Sequence, residues 1–218
     1  KAGKKLESGT PWIGIQMQEM NQTLKRKFGV SSGVLVAGVQ EMSPGKKAGL
    51  KSGDIVVKLN GKPVTNAEDL SQAVASMDAG AEIELAVLRK GEEKKIKVVL
   101  APWGRESADK KPGGGAETAE AASSWLGMKV DSVSDDESRK MKLGEDCSIV
   151  VSGVKDDSPA DKAGVQEGDG ICEIDRAEIK NLDDFEQAKK KANIKDGILL
   201  KLRRADNSRF VVIEEGGK

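Results

Sequence analysis

Pro11-Trp12-Ile13-Gly14-Ile15-Gln16-Met17 is the stretch from which the fold is read. It sets a glycine between branched apolar residues, just ahead of a short run with strand-like alternation. A backbone turned at Gly14 can aim successive N–H groups at one point, and such a nest of amides binds an anion such as a carboxylate. The strand that follows can hold an extended peptide along its edge. A glycine inside a strand also marks bulges and close backbone approach, so the stretch gains weight from its second copy. Trp125-Leu126-Gly127-Met128-Lys129-Val130 stands at the matching place in a repeated unit.

The repeat is direct. Residues 33–74 align with 148–189 at a constant offset of 115, and fourteen of those 42 positions are identical. The pairs include Ser43/Ser158, Pro44/Pro159, Ala48/Ala163, Gly49/Gly164, Gly53/Gly168 and Asp54/Asp169. Copies of about 90 residues are too long for solenoid repeats and suit small domains. The expected organisation is a flexible segment over 1–10, a first domain over 11–101, a linker over 102–124 and a second domain over 125–214. The linker is assigned from Lys-Lys-Pro-Gly-Gly-Gly and an Ala/Glu/Ser-rich run, with a helix over Ala116–Ala122 as the alternative.

Within the first unit, Val34–Val39 and Ile55–Leu59 read as apolar strands. Ser43-Pro44 and Gly49 frame a short helix, with Ser43 as cap, Pro44 in the first turn and Gly49 at the end. Asn60-Gly61 is a tight hairpin signal. Asn66 caps a longer helix over Ala67–Met77, in which Leu70, Val74 and Met77 share one face. Ile83–Leu88 and Lys95–Leu100 form a closing hairpin turning at Lys90-Gly91. The second unit repeats the pattern through Ile149–Val154, Ser158–Gly164, Ile171–Ile174, Asn181–Ala192, Ile198–Leu202 and Phe210–Ile213. The fold class is α+β, mainly β: two small, partly open barrels or sandwiches, each with two helices.

Composition narrows the function. The 218 residues contain no histidine, which excludes a Ser-His-Asp triad, a Cys-His dyad and a histidine metal site. Lys+Arg and Asp+Glu are both 36, so no net charge draws the chain to nucleic acid or an acidic membrane surface. No apolar run approaches the roughly 18 residues of a membrane helix. The opening at Lys1 reads as a mature or excised segment, without a signal-peptide core. Cys147 and Cys172 form no framework: buried free thiols are the simpler expectation and a single disulfide the alternative. Asp54 and Asp169, each just before a strand, are expected to fix a turn.

Trp12-Ile13-Gly14-Ile15, then Ser-Pro-x-x-x-Ala-Gly-Leu-x-x-Gly-Asp-Ile, then Leu-Asn-Gly-Lys-Pro-Val and an amphipathic helix resemble a PDZ domain. The arrangement is similar to the circularly permuted bacterial kind that follows the protease domain of HtrA/Do-type (Deg) serine proteases. The Gly-Asn-Ser-Gly-Gly signature of the protease half is not in this chain. The resemblance implies a carboxylate-binding loop at Trp12, Ile13, Gly14 and Ile15, a peptide-pairing strand at Gln16, Met17 and Gln18, and a side-chain pocket at Leu70, Val74 and Met77. Trp125, Leu126, Gly127, Met128, Phe185 and Lys189 are the second-domain counterparts. It further implies protein C-termini and unfolded polypeptides as ligands, a protease domain in the parent chain, trimer-based oligomers of the full-length protein, and a periplasmic location. No cofactor, metal, nucleic acid or membrane insertion is implied, and no catalytic residue.

The same helix spacing would serve a plain core; the loop motif beside it favours a groove. Thr10 and Ser123 stand where Do-type proteins often carry a basic residue. In the second unit Lys189 replaces Val74, Ala192 replaces Met77, Gly170 replaces Ile55, and Asp175-Arg176 replaces the Asn-Gly turn. That groove is expected to prefer an acidic ligand, or to bind no peptide and serve assembly or regulation. A stand-alone scaffold, or the regulatory pair of an intramembrane protease, is the alternative for the whole chain.

Overall fold

A computed structural model describes residues 9–103, 121–143, 147–205 and 207–215. Most of the expected flexible segment and linker lies outside the described residues. The chain divides into two units, 1–110 and 111–218.

The first unit runs β1 (Pro11–Trp12), β2 (Ile15–Gln18), α1 (Gln22–Phe28), β3 (Val34–Val39), α2 (Pro44–Lys47), β4 (Ile55–Leu59), β5 (Lys62–Pro63), α3 (Ala67–Ala75), β6 (Glu82–Arg89), β7 (Glu92–Val99) and β8 (Ala101–Pro102). The second runs β9 (Ala121–Trp125), β10 (Met128–Ser132), α4 (Asp135–Lys140), β11 (Ile149–Val154), α5 (Pro159–Lys162), β12 (Gly170–Ile174), β13 (Ala177–Glu178), α6 (Leu182–Lys191), β14 (Ile198–Arg204) and β15 (Asn207–Ile213). Antiparallel sheets follow the order β2-β3-β4-β6-β7, with β5 on β4, and β15-β14-β12-β11-β10-β9, with β13 on β12. Neither sheet closes into a barrel.

Local chemistry explains most of the joints. Ser43 and Ser158 accept the N–H groups of Lys46 and Asp161, with Pro44 and Pro159 at the first helical position. Asn66 and Asn181 cap the longer helices through the N–H groups of Asp69 and Asp184, both at 2.8 Å. Lys90-Gly91 turns the closing hairpin with φ of 55° and 88°, the doubly positive geometry of a type I′ turn. Asp175-Arg176 keeps the turn of Asn60-Gly61, at φ of 47° and 69°. The Asp175 carboxylate accepts the Leu199 N–H just as Asn60 accepts that of Glu84.

Among the described residues each unit has three α-helices rather than two, and the second adds a 3-10 turn at Ile194–Asp196. α1 is a single short helix capped by Asn21 and ended by Gly29 at φ 69°. α4 opens with a capping box, Ser134 with Glu137. α3 stops at Ala75, so Met77 lies in the turn beyond the helix. Ala121 and Ala122, part of the alternative linker helix, lie in β9 instead.

The first core gathers Val34, Val36, Leu50, Val56, Leu70 and Val87 with their neighbours; the second does so around Val151, Ile171, Phe185 and Leu200. The turn-fixing aspartates are buried. Asp54 accepts the Lys51 N–H and two bonds from Arg89 at 2.7 Å, which raises the arginine pKa further. Asp169 meets Arg209 and, without hydrogen-bond alignment, Arg204, both at 2.8 Å.

Cys147 and Cys172 are joined, which replaces the free-thiol expectation with the alternative. The bond packs in a small cluster with Leu143 and Val150. It also accounts for Gly170: a Cβ there would stand 3.0 Å from Leu143 and 3.3 Å from Cys147. Position 170 corresponds to Ile55 of the first unit, and here these side chains crowd the space a side chain would enter. β7 forms the far edge of the first sheet and is dressed in charge, with Lys95–Glu84 at 3.0 Å and Lys97–Glu82 at 3.2 Å.

Candidate functional site

In the first unit the loop of residues 12–15 is pinned from behind. The Gln40 N–H donates to the Gly14 carbonyl at 2.9 Å, and the Gly45 N–H to the Ile13 carbonyl at 2.8 Å. In a trans peptide the C=O and the following N–H point in opposite directions. Both carbonyls are held against the β3–α2 turn, so the N–H groups of Gly14 and Ile15 face outward. Gly14 sits at φ 80°, and a Cβ on it would overlap Ser43 and approach the Trp12 ring to 2.9 Å. Only glycine fits that position, for both backbone and space.

β2 follows directly. It pairs with β3 on one side, with Ile15 opposite Val39 and Gln18 opposite Leu35, and it ends the sheet on the other. β1 leads away from this edge and pairs with β8 instead. Trp12 there makes an edge-to-face contact with Trp103, centroids 5.4 Å apart. Met17 is 38% exposed on β2.

Leu70 and Val74 of α3 do join Ile13 in one cluster, with Ile15 and Met77 at its margin. They are only 1% and 7% exposed, so the slot is packed shut over them. Ile15 and Met77, both half-buried, are its accessible rim. The sequence reading missed Glu19, whose carboxylate accepts the Ala67 N–H at 2.6 Å. It ties the end of β2 to the start of α3, across 48 residues of chain, and no local pattern signals it. Asp69 in the same first turn has its carboxyl pKa lowered, chiefly by the Thr65 hydroxyl.

The second loop is pinned the same way, Lys155 N–H to Gly127 carbonyl at 2.7 Å and Ala160 N–H to Leu126 carbonyl at 3.1 Å. Phe185 is fully buried and meets Trp125 edge-on at 5.6 Å. Lys189 on α6 lies 3.3 Å from Glu186. Met128 is buried, unlike Ile15. The large difference is at the sheet edge: β10 is not terminal, because β9 pairs with it, Met128 opposite Trp125 and Val130 opposite Ser123. Among the described residues no cluster of Cys, Asp or Glu is placed to hold a metal ion, and no helix is long and apolar enough to cross a membrane.

Comparison with known proteins shows the family. The chain is similar to the "Probable periplasmic serine endoprotease DegP-like" of Pseudomonas putida, 29% identical over 206 residues, covering 93% of this chain and 42% of that protein. The protein so named in Brucella suis is 31% identical over 214 residues, covering 93% of this chain and 39% of that one. The chain thus spans less than half the length of these relatives. Similar solved structures include the HtrA3 PDZ domain bound to a phage-derived ligand (FGRWV), 29% identical, TM-score 0.38, covering 41% of this chain and 84% of that one. Another is the HtrA-type protease AlgW with decapeptide, 23% identical, TM-score 0.40, covering 42% and 29%. The PDZ domain model matches residues 11–100 and again 124–214. This chain therefore belongs to the PDZ domain family and carries two of its domains.

Proposed function

We propose that this chain is the peptide-binding portion of a periplasmic HtrA/Do-type serine endoprotease acting in protein quality control. The first unit takes the C-termini or extended segments of misfolded polypeptides as an added strand on β2. The observation that carries this is the position of β2, at the end of its sheet among the described residues, beside a loop whose Gly14 and Ile15 N–H groups face outward. A terminal carboxylate meets the amides of Ile13, Gly14 and Ile15. The peptide backbone runs along Gln16, Met17 and Gln18, and its last side chain enters between Ile15 and the Leu70–Val74–Met77 face. Opening that slot costs part of what the side chain gains.

The magnitudes suit transient capture. A few backbone hydrogen bonds contribute about 1 kcal/mol each. One buried apolar side chain adds about 1.5–3 kcal/mol, against the ordering of a flexible tail. Roughly micromolar affinity follows. The buried disulfide agrees with an oxidising compartment such as the periplasm. The second unit serves assembly or regulation in the parent protein. The chain alone has no peptidase activity, and hydrolysis of unfolded casein by it would overturn that part.

Titration of the chain with a hexapeptide ending in an apolar residue tests the central reading. The amides of Ile13–Gln18 are expected to shift in the NMR spectrum, and blocking the peptide's carboxylate as an amide is expected to weaken binding at least about tenfold. Shifts confined to other strands would overturn it.

A further inference from the structure

The two units differ at the one edge that matters for strand addition. In the first, the chain ahead of the loop departs to β8 and leaves the outer side of β2 without a paired strand among the described residues. In the second, the chain ahead of the loop folds back, and β9 runs antiparallel along β10 from Trp125 to Ala121. We propose that β9 is a tethered occupant of the second unit's strand-binding edge, so that this unit is closed to peptides until residues 121–125 peel away. The proposal rests on the reading of these edges as peptide receptors and extends it to the second unit.

The sequence accounts for the difference. Leu126 and Gly127 have φ of 55° and 90°, so Trp125-Leu126-Gly127-Met128 is a two-residue hairpin with both central residues left-handed. That is the turn whose twist suits paired strands. The first unit has Ile13 where the second has Leu126. A β-branched residue is a poor occupant of the left-handed region, and Ile13 is absent from the positive-φ residues. The hairpin is thus available to the second unit and disfavoured in the first.

The occupant copies a ligand's chemistry. It is extended, antiparallel and hydrogen-bonded through its main chain, and Trp125 at its end lies on Phe185 of the helix that walls the groove. A two-residue tether gives β9 an effective concentration in the millimolar range or above. A free peptide of roughly micromolar to millimolar affinity does not displace such a strand at ordinary concentrations.

The test uses the whole chain and a pool of hexapeptides randomised at the last four positions, with β2 and β10 amides read by NMR. Paired residues alternate between bonded and non-bonded, so closure at Trp125/Met128 makes Ser123/Val130 the next bonded pair. Ser123→Pro removes that donor. Exchange of the Val130 amide is expected to speed about tenfold while β14 amides stay protected, and the pool is expected to shift Met128–Ser132 in the variant but not in the parent chain. S123G/S124G, which keeps both donors and only weakens the strand, is expected to give an intermediate response. Shifts of Met128–Ser132 in the parent equal to those in the variants would overturn the proposal, and so would a freed β10 that takes no peptide. Shifts of Ile15–Gln18, expected in every variant, report separately on the underlying reading: their absence would count against peptide capture itself.

Discussion

Replacing Cys147 with alanine and Cys172 with valine is expected to destabilise the second unit and leave the first untouched. Valine is the residue the first unit carries at the position of Cys172, as Val57. The cross-link closes a loop with a sequence separation of 25. In the chain-entropy account, removing a constraint of that length costs about 3.5 kcal/mol. At about 4–8 °C per kcal/mol for a domain of this size, the midpoint of the second unit falls by about 14–28 °C. Thermal unfolding followed by hydrogen exchange separates the units: Ile171 and Ile174 amides report one, Val56 and Leu59 the other. The first unit, with no cysteine, is the internal control. Midpoints for Ile171 and Ile174 that stay within about 3 °C of the parent would refute the reasoning, since the entropy term is several times larger.

Gly14→Val is expected to lower affinity for an apolar-tailed peptide at least about tenfold by fluorescence titration, because valine is strained at positive φ and its Cβ overlaps Ser43. Val74→Lys is expected to do the same by putting an ammonium in the slot; unchanged affinity would move the slot elsewhere. Gly170→Ile, which restores the first unit's residue, is expected to destabilise the second unit by about 1–3 kcal/mol in urea melts, since its side chain meets Leu143 and Cys147. Asp69 has a folded pKa below its ordinary value of about 3.9 because the Thr65 hydroxyl donates to it. Its contribution to stability is therefore present above that ordinary value and lost as pH falls through the lower folded one. Thr65→Val is expected to move the Asp69 carboxyl titration, followed by NMR, back toward the ordinary value.

Features decided within a few residues were legible in the sequence. Ser43-Pro44, Asn66, Asn60-Gly61 and Lys90-Gly91 each carry their own turn or cap chemistry, and the structure uses all four. The capping box at Ser134 and the Asn21/Gly29 pair were equally local, but a helix of six or seven residues has too few apolar positions to announce itself. What stayed hidden depends on distant partners. Arg89 clamps Asp54 from 35 residues away, and Glu19 reaches Ala67 across 48. Cys147 and Cys172 could be resolved as a pair only once β11 and β12 were side by side. Ala121–Ser124 read as linker because the run lacks β-branched and aromatic residues and alanine's own preference is helical; pairing with β10 made them β. The residues assigned to the pocket were legible as a cluster, and Leu70 and Val74 lie buried in the first core.

The charged pairs along β7 bear on the capture of unfolded chains proposed above. A sheet has two rims, and any aggregating strand can stack onto either. On the β7 side an incoming segment would meet Lys95, Lys97 and their glutamate partners, a rim that repels apolar newcomers. Among the described residues the β2 strand, Ile15–Gln18, carries no charged side chain. If the first unit captures unfolded segments as proposed, they are channelled to the β2 rim, and a docked segment is not joined by others growing off the opposite rim into a fibre.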